Sequence, residues 1–160
     1  MFELNANNLD GLVDRMNKFA TDVQKRVIGT AARNAMKPVA ALAKSNARAL
    51  KIDDPTTASN IIENIVSKKA NKKATRRRGA DYVQQVGILG GAKSPAKGND
   101  TDELATFHWR FLEFGTSTIE ARPFMRPAFE RNAQRTLDIF AQEVNKGMDR
   151  AARRIAKRGQ

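Results

Sequence analysis

The chain has no cysteine, which excludes disulfides, thiolate metal sites and cysteine nucleophiles together and fits assembly in a reducing cytosol. Aromatic residues make up only 6% of it against 41% hydrophobic residues overall. Most of the core must therefore come from Ala, Val, Ile, Leu and Met, which favours helices over a β-sandwich. Apolar runs are a few residues long, far short of the roughly 20 that span a bilayer. The first ten residues, MFELNANNLD, are acidic where a signal peptide is basic. A soluble protein made in the cytosol, with no membrane partner, is the expectation. A single histidine, His108, and no tight carboxylate cluster leave no nucleophile–base pair, metal-ligand spacing or phosphate-cradling glycine motif. Glu113 and Glu120 flank a turn, and their spacing predicts no particular carboxylate geometry. The reading is a non-enzyme without cofactor or metal.

Acidic residues are also in short supply, 17 Asp and Glu against 29 Lys and Arg, for a formal charge of +12. Such an excess suits a polyanionic partner: nucleic acid, an anionic surface or an acidic protein face. A length of 160 residues fits one domain over 1–160, with a basic connection at about 68–80 and a loop at about 90–103 as mobile appendages.

From Leu9, apolar residues recur at three- and four-residue steps through Leu12, Val13, Met16, Phe19, Val23, Val27 and Ala31 to Val39 and Ala43. This is an amphipathic stripe that Pro38 should kink or split. Residues 9–49 read as one bent helix or two in tandem, ended by the loop KIDDPTTASN. NIIENIVS and DYVQQVGIL are short β-branched runs, which predicts two antiparallel strands. Between them, seven of the eleven residues from Lys68 to Arg78 are Lys or Arg. Leu104, Phe107, Phe111, Leu112 and Phe114 suit a short helix ended at Gly115. GTSTIEARPFMRP reads as an extended turn, with Pro127 opening a C-terminal helix that closes on a basic run. The fold class is α+β: long N- and C-terminal helices packed with a small, mostly antiparallel sheet and a short aromatic helix.

Residues 107–130, FHWRFLEFGTSTIEARPFMRPAFE, hold the only Trp, the only His and five of the eight Phe. As core, Phe107, Phe111, Phe114, Phe124 and Phe129 would seal the short helix and turn onto the rest, the expected role for most of them. As interface, a proline-braced loop would present Trp109, Phe111, Phe114, Gly115, Arg122, Pro123, Phe124, Met125, Arg126, Pro127 and Phe129 to a neighbour. The basic residues Lys68, Lys69, Lys72, Lys73, Arg76, Arg77 and Arg78, with Arg153, Arg154, Lys157 and Arg158 at the C-terminus, face either solvent, DNA phosphates or an acidic partner. No aromatics are interleaved with the basic connection, so base stacking is not expected there.

WRFLEFGTSTIEARPFMRPAFE resembles the signature of the gene-product-ten-like tail-component family of long-tailed bacteriophages: an aromatic-rich EFGTS turn followed by RPF and RPAF. The order of elements is similar over most of the chain. The resemblance implies a structural, non-enzymatic virion protein of the neck, a head–tail joining or tail-completion component assembled in the host cytoplasm. It further implies a homo-oligomeric ring of six or twelve copies around the DNA channel, bound to head-closure, connector, terminator or tail-tube proteins. A tail terminator capping the tube is the nearest alternative. A basic, sequence-blind nucleic-acid-binding protein is the alternative from another class.

Overall fold

The computed structural model describes residues 11, 14, 16, 17, 19, 21–53, 60–80, 82–90 and 106–158. The expected loop at 90–103 lies, but for Gly90, outside them. The elements in order are α1 (Thr21–Ala35), α2 (Lys37–Ala49), β1 (Ile65–Lys69), α3 (Lys72–Arg77), β2 (Gln84–Ile88), α4 (Trp109–Phe114) and α5 (Met125–Arg158). The α+β class follows: long helices toward both ends, one two-stranded antiparallel sheet and a short aromatic helix. Two compact units divide them, one within 1–35, 70–84 and 134–160, the other within 36–69 and 85–133.

The first unit holds α1, α3 and most of α5. Its core is Ala31, Val144 and Met148, with Met16, Phe19, Val27 and Phe140 packed against it. Small residues set how closely the two long helices approach. A Cβ on Gly147 would lie 2.7 Å from Val27 Cγ1, so glycine here lets α1 and α5 touch through backbone. Beside this contact Asn34 Nδ2 donates to Glu143 Oε2 at 2.7 Å, and Lys146 Nζ donates to Glu143 Oε1 at 3.2 Å. The Asn34 bond, then Lys146, hold the Glu143 carboxyl below its ordinary value of 4.5.

In the second unit α2 presents Val39, Ala43 and Ala47, four residues apart, to Ile52, Ile61, Ile65, Val86, Phe124, Met125 and Ala128. The expected break near Pro38 falls at Met36, and Pro38 sits in the first turn of α2, where a missing N–H costs nothing. β1 begins later than the apolar run NIIENIVS predicts. Asp53 takes the Ile61 and Ile62 amides at 2.7 and 3.1 Å, and Asn60 Oδ1 takes the Glu63 amide at 3.0 Å. These side-chain caps turn residues 61–64 before the strand can start.

Gly147→Ala trades a helix-propensity gain of at most about 1 kcal/mol against an overpacked contact of about 1–3 kcal/mol. Net destabilisation is expected in denaturant titration, and the same change made in a Val27→Ala background should be neutral or stabilising. Asn34→Ala should move the Glu143 carboxyl back up toward 4.5, read by carboxyl NMR titration. Because the folded value is depressed, the stabilisation this pair supplies is present above the unfolded value and fades as pH falls through the folded one.

Candidate assembly surface

The short helix α4 ends where the sequence says it should. Gly115 adopts φ 73°, and its amide donates to Phe111 O at 2.9 Å. A Cβ there would stand 3.0 Å from both the Ala121 amide nitrogen and Ile119 O, so both the backbone angle and the space require glycine. The next residue closes the turn. Thr116 N donates to Ile119 O at 2.8 Å, and its hydroxyl takes the amides of Thr118 and Ile119 at 3.2 and 3.0 Å. Arg122 N then returns to Leu112 O at 2.7 Å. FGTSTIEAR is thus a loop fastened to itself and to α4 by backbone geometry.

Its anchor is Glu113, only 4% exposed. Oε2 accepts the amides of Phe124 and Met125 at 2.8 and 2.9 Å, and Oε1 accepts that of Arg126 at 2.8 Å. These are orphan donors at the start of α5, and the next residue, Pro127, has none to offer. The carboxylate caps the helix in place of a local Ser or Asp and sits where the helix dipole favours a negative charge. It also explains why α5 starts at Met125, two residues before the position expected from Pro127. With its amides held from α4, the helix needs no local cap, and proline is still in the first turn. Glu113 escaped the sequence reading because the bond spans eleven to thirteen residues and no local capping pattern marks it.

The aromatic residues divide between the two expected roles. Phe124, named for both, is completely buried in the core, and Met125, named for the contact surface, is buried as well; Asn46 Nδ2 also donates to Phe124 O at 3.1 Å. Phe111, Phe114 and Phe129, also named for both, are 45%, 60% and 40% exposed, and Ile119 is exposed too. The reason is periodicity. On so short a helix Leu112 and Trp109 take the inward face and leave Phe111 and Phe114, three apart, on the other. The Arg126 guanidinium lies 5.7 Å from the Phe114 ring centroid, and that of Arg110 lies 5.7 Å from Trp109, each a cation–π contact. Trp109 is half-buried with its ring 6.5 Å from Phe114. Arg122 and Pro123 are exposed, and Gly115 and Pro127 half-buried. His108 packs edge-on to Phe107.

The basic connection is a helix rather than an open hairpin tip. Asn71 Oδ1 takes the Ala74 amide at 2.8 Å. At the other end Gly79 has φ 61°, its amide reaches Arg76 O, and that of Ala80 reaches Thr75 O, a complete Schellman closure. NKKATRRRG contains both caps in plain sight, obscured by its charge. Lys68, Lys69, Lys72, Lys73, Arg76, Arg77 and Arg78 are all exposed, as are Arg153, Arg154 and Lys157 on the last turns of α5, which also carry Arg158.

Glu113→Gln keeps the shape but loses the charge and turns an NH₂ toward backbone donors. A loss of about 2–4 kcal/mol is expected in chemical denaturation, with a larger effect than at the exposed Glu120, where Glu120→Gln should change little.

The family model described as "Bacteriophage HK97-gp10, putative tail-component" matches residues 10–115. The match runs from the N-terminal helical region through both strands and α3 to the end of α4. It stops at the Gly115 turn, so RPF and RPAF lie beyond it. Comparison with curated proteins gives no match, and neither does comparison with solved structures. With well over half of its length inside the matched span, the chain belongs to the HK97-gp10-like family of phage tail components.

Proposed function

We propose that the protein is a structural component of the phage neck, forming a ring at the head–tail junction that completes the tail or joins it to the DNA-filled head. Membership of a tail-component family supports a virion role and points away from catalysis. The observation that carries the finer reading is the set of exposed large apolar side chains in the second unit, Phe111 and Phe114 on α4, Ile119 in the turn and Phe129 on α5, around a turn that Glu113 and Gly115 fasten. Large aromatic and aliphatic side chains left this open on an ordered scaffold mark a contact site. A loop already fixed loses little entropy on docking.

A ring joins one surface of each subunit to a different surface of the next. The surface with Phe114 supplies one half of such a contact, with Arg126 and Arg110 already set against the Phe114 and Trp109 rings and the exposed Arg122 placed to meet carboxylates. Neighbours of this chemistry are further copies of the chain and the acidic faces of connector or tail-tube proteins. Six or twelve copies suit the symmetry that the neck and tail impose.

A Phe111→Ser/Phe114→Ser chain should fold with near-native stability, because both side chains are already half in water. In complementation of a phage lacking the protein it should leave full heads and separate tails. Normal yields of joined particles from that variant would refute the assembly role of this face.

A further inference from the structure

Charge is not shared evenly between the two units. Segments 1–35, 70–84 and 134–160 carry 17 Lys and Arg against 8 Asp and Glu, a net +9; segments 36–69 and 85–133 carry 12 against 9, a net +3. The exposed aromatic residues belong to the less charged unit and most of the cationic excess to the other. Within the basic unit α3 is the densest cluster, with Lys72, Lys73, Arg76, Arg77 and Arg78 exposed and no acidic residue anywhere from Lys68 to Arg78.

These charges work against the helix that carries them. At six residues α3 is far shorter than a helix that persists by itself. Lys72 with Arg76 and Lys73 with Arg77 are like-charge pairs one turn apart, which repel. Lysines also occupy the first turn, where the dipole disfavours them, and Arg76 and Arg77 in the last turn, where it favours them, do no more than offset this. Order comes instead from the Asn71 cap, the Gly79 closure, the buried Thr75, whose hydroxyl donates to Asn71 O at 2.9 Å, and the buried Ala70. A fold that caps both ends of a self-repelling helix holds five cations at fixed spacing that its own stability does not need.

We infer that α3 is a sequence-blind contact to the phosphate backbone of duplex DNA, with Arg150, Arg153, Arg154 and Lys157 on the last turns of α5 adding to the same polycationic unit. Its exposed side is cations alone. Protein interfaces are depleted of lysine, and where arginine anchors them it does so within a well-packed, partly apolar or aromatic patch, of which α3 exposes no side chain. A polyphosphate needs only density of charge, because affinity comes from counterion release. No ring side chain stands among the cations, so bases are not stacked or read. The setting, DNA passing a neck ring, rests on the function proposed above; binding by the isolated chain does not.

The test is fluorescence anisotropy of a labelled mixed-sequence duplex with the full-length chain from about 50 to about 200 mM salt. Wild type should bind at low salt, with log K falling steeply against log salt and no preference between unrelated sequences. Arg76→Ala/Arg77→Ala/Arg78→Ala should reduce the slope by up to about 2.7, roughly 0.9 per lost contact, with an unchanged melting temperature. An unchanged slope in that variant, or no duplex binding by wild type at low salt, overturns the inference. So does tighter, α3-dependent binding to polyglutamate than to DNA, which would assign the helix to an acidic protein face. Particle joining with the same variant reads separately: joined heads and tails alongside lost DNA binding leave the assembly role intact.

Discussion

Three hydrogen bonds to one buried carboxylate hold the aromatic half of this protein in shape. Glu113 takes the amides of Phe124, Met125 and Arg126 and ties α4 to the first turn of α5, across the loop that Gly115 and Thr116 close. The carboxylate loses hydration on burial and recovers it as charge-assisted bonds to donors that would otherwise be orphaned. Because the donors lie on successive residues, α5 starts at a defined point. Phe124 is thereby driven into the core while Arg126 is set over Phe114. Asp53 does the same on a smaller scale for residues 61 and 62, so two irregular segments of the unit are fixed by an acidic side chain reading backbone amides.

That constraint gives a physical reason for the open aromatic face. Phe111 and Phe114 cannot turn inward without breaking the register in which Trp109 and Leu112 meet the core and Glu113 meets α5. The exposed rings are therefore a consequence of a turn whose hydrogen bonds fix the backbone that carries them. The other unit meets a different demand. It packs two long helices through Gly147 and Val27 and displays a capped cationic helix. The proposed assembly surface and the proposed polyanion contact thus fall in different units of one short chain.

Much of this was legible in the residues. The three- and four-residue apolar stripe placed α1 and α2, Pro38 marked their division, β-branched runs located both strands, and Gly115 marked the end of α4. All of these are local signals. What the sequence reading missed is long-range or masked by a stronger signal. The Glu113 bonds span more than ten residues, so neither the early start of α5 nor the sorting of the five phenylalanines could be read from composition. Ring residues crowded into one stretch fitted both a core and a contact surface, and only the single inward face of a six-residue helix divides them. In NKKATRRRG the run of cations drew attention away from an Asn cap and a glycine closure that local rules do predict.

Cryo-electron microscopy of assembled virions tests the central claim most directly, by locating the protein and the surroundings of Phe111 and Phe114 in the particle. The account predicts a closed ring at the head–tail junction, with both rings buried against a neighbouring subunit and the Glu113 cap intact. Density for the chain elsewhere in the virion, or a ring there in which both side chains remain in solvent, would contradict it.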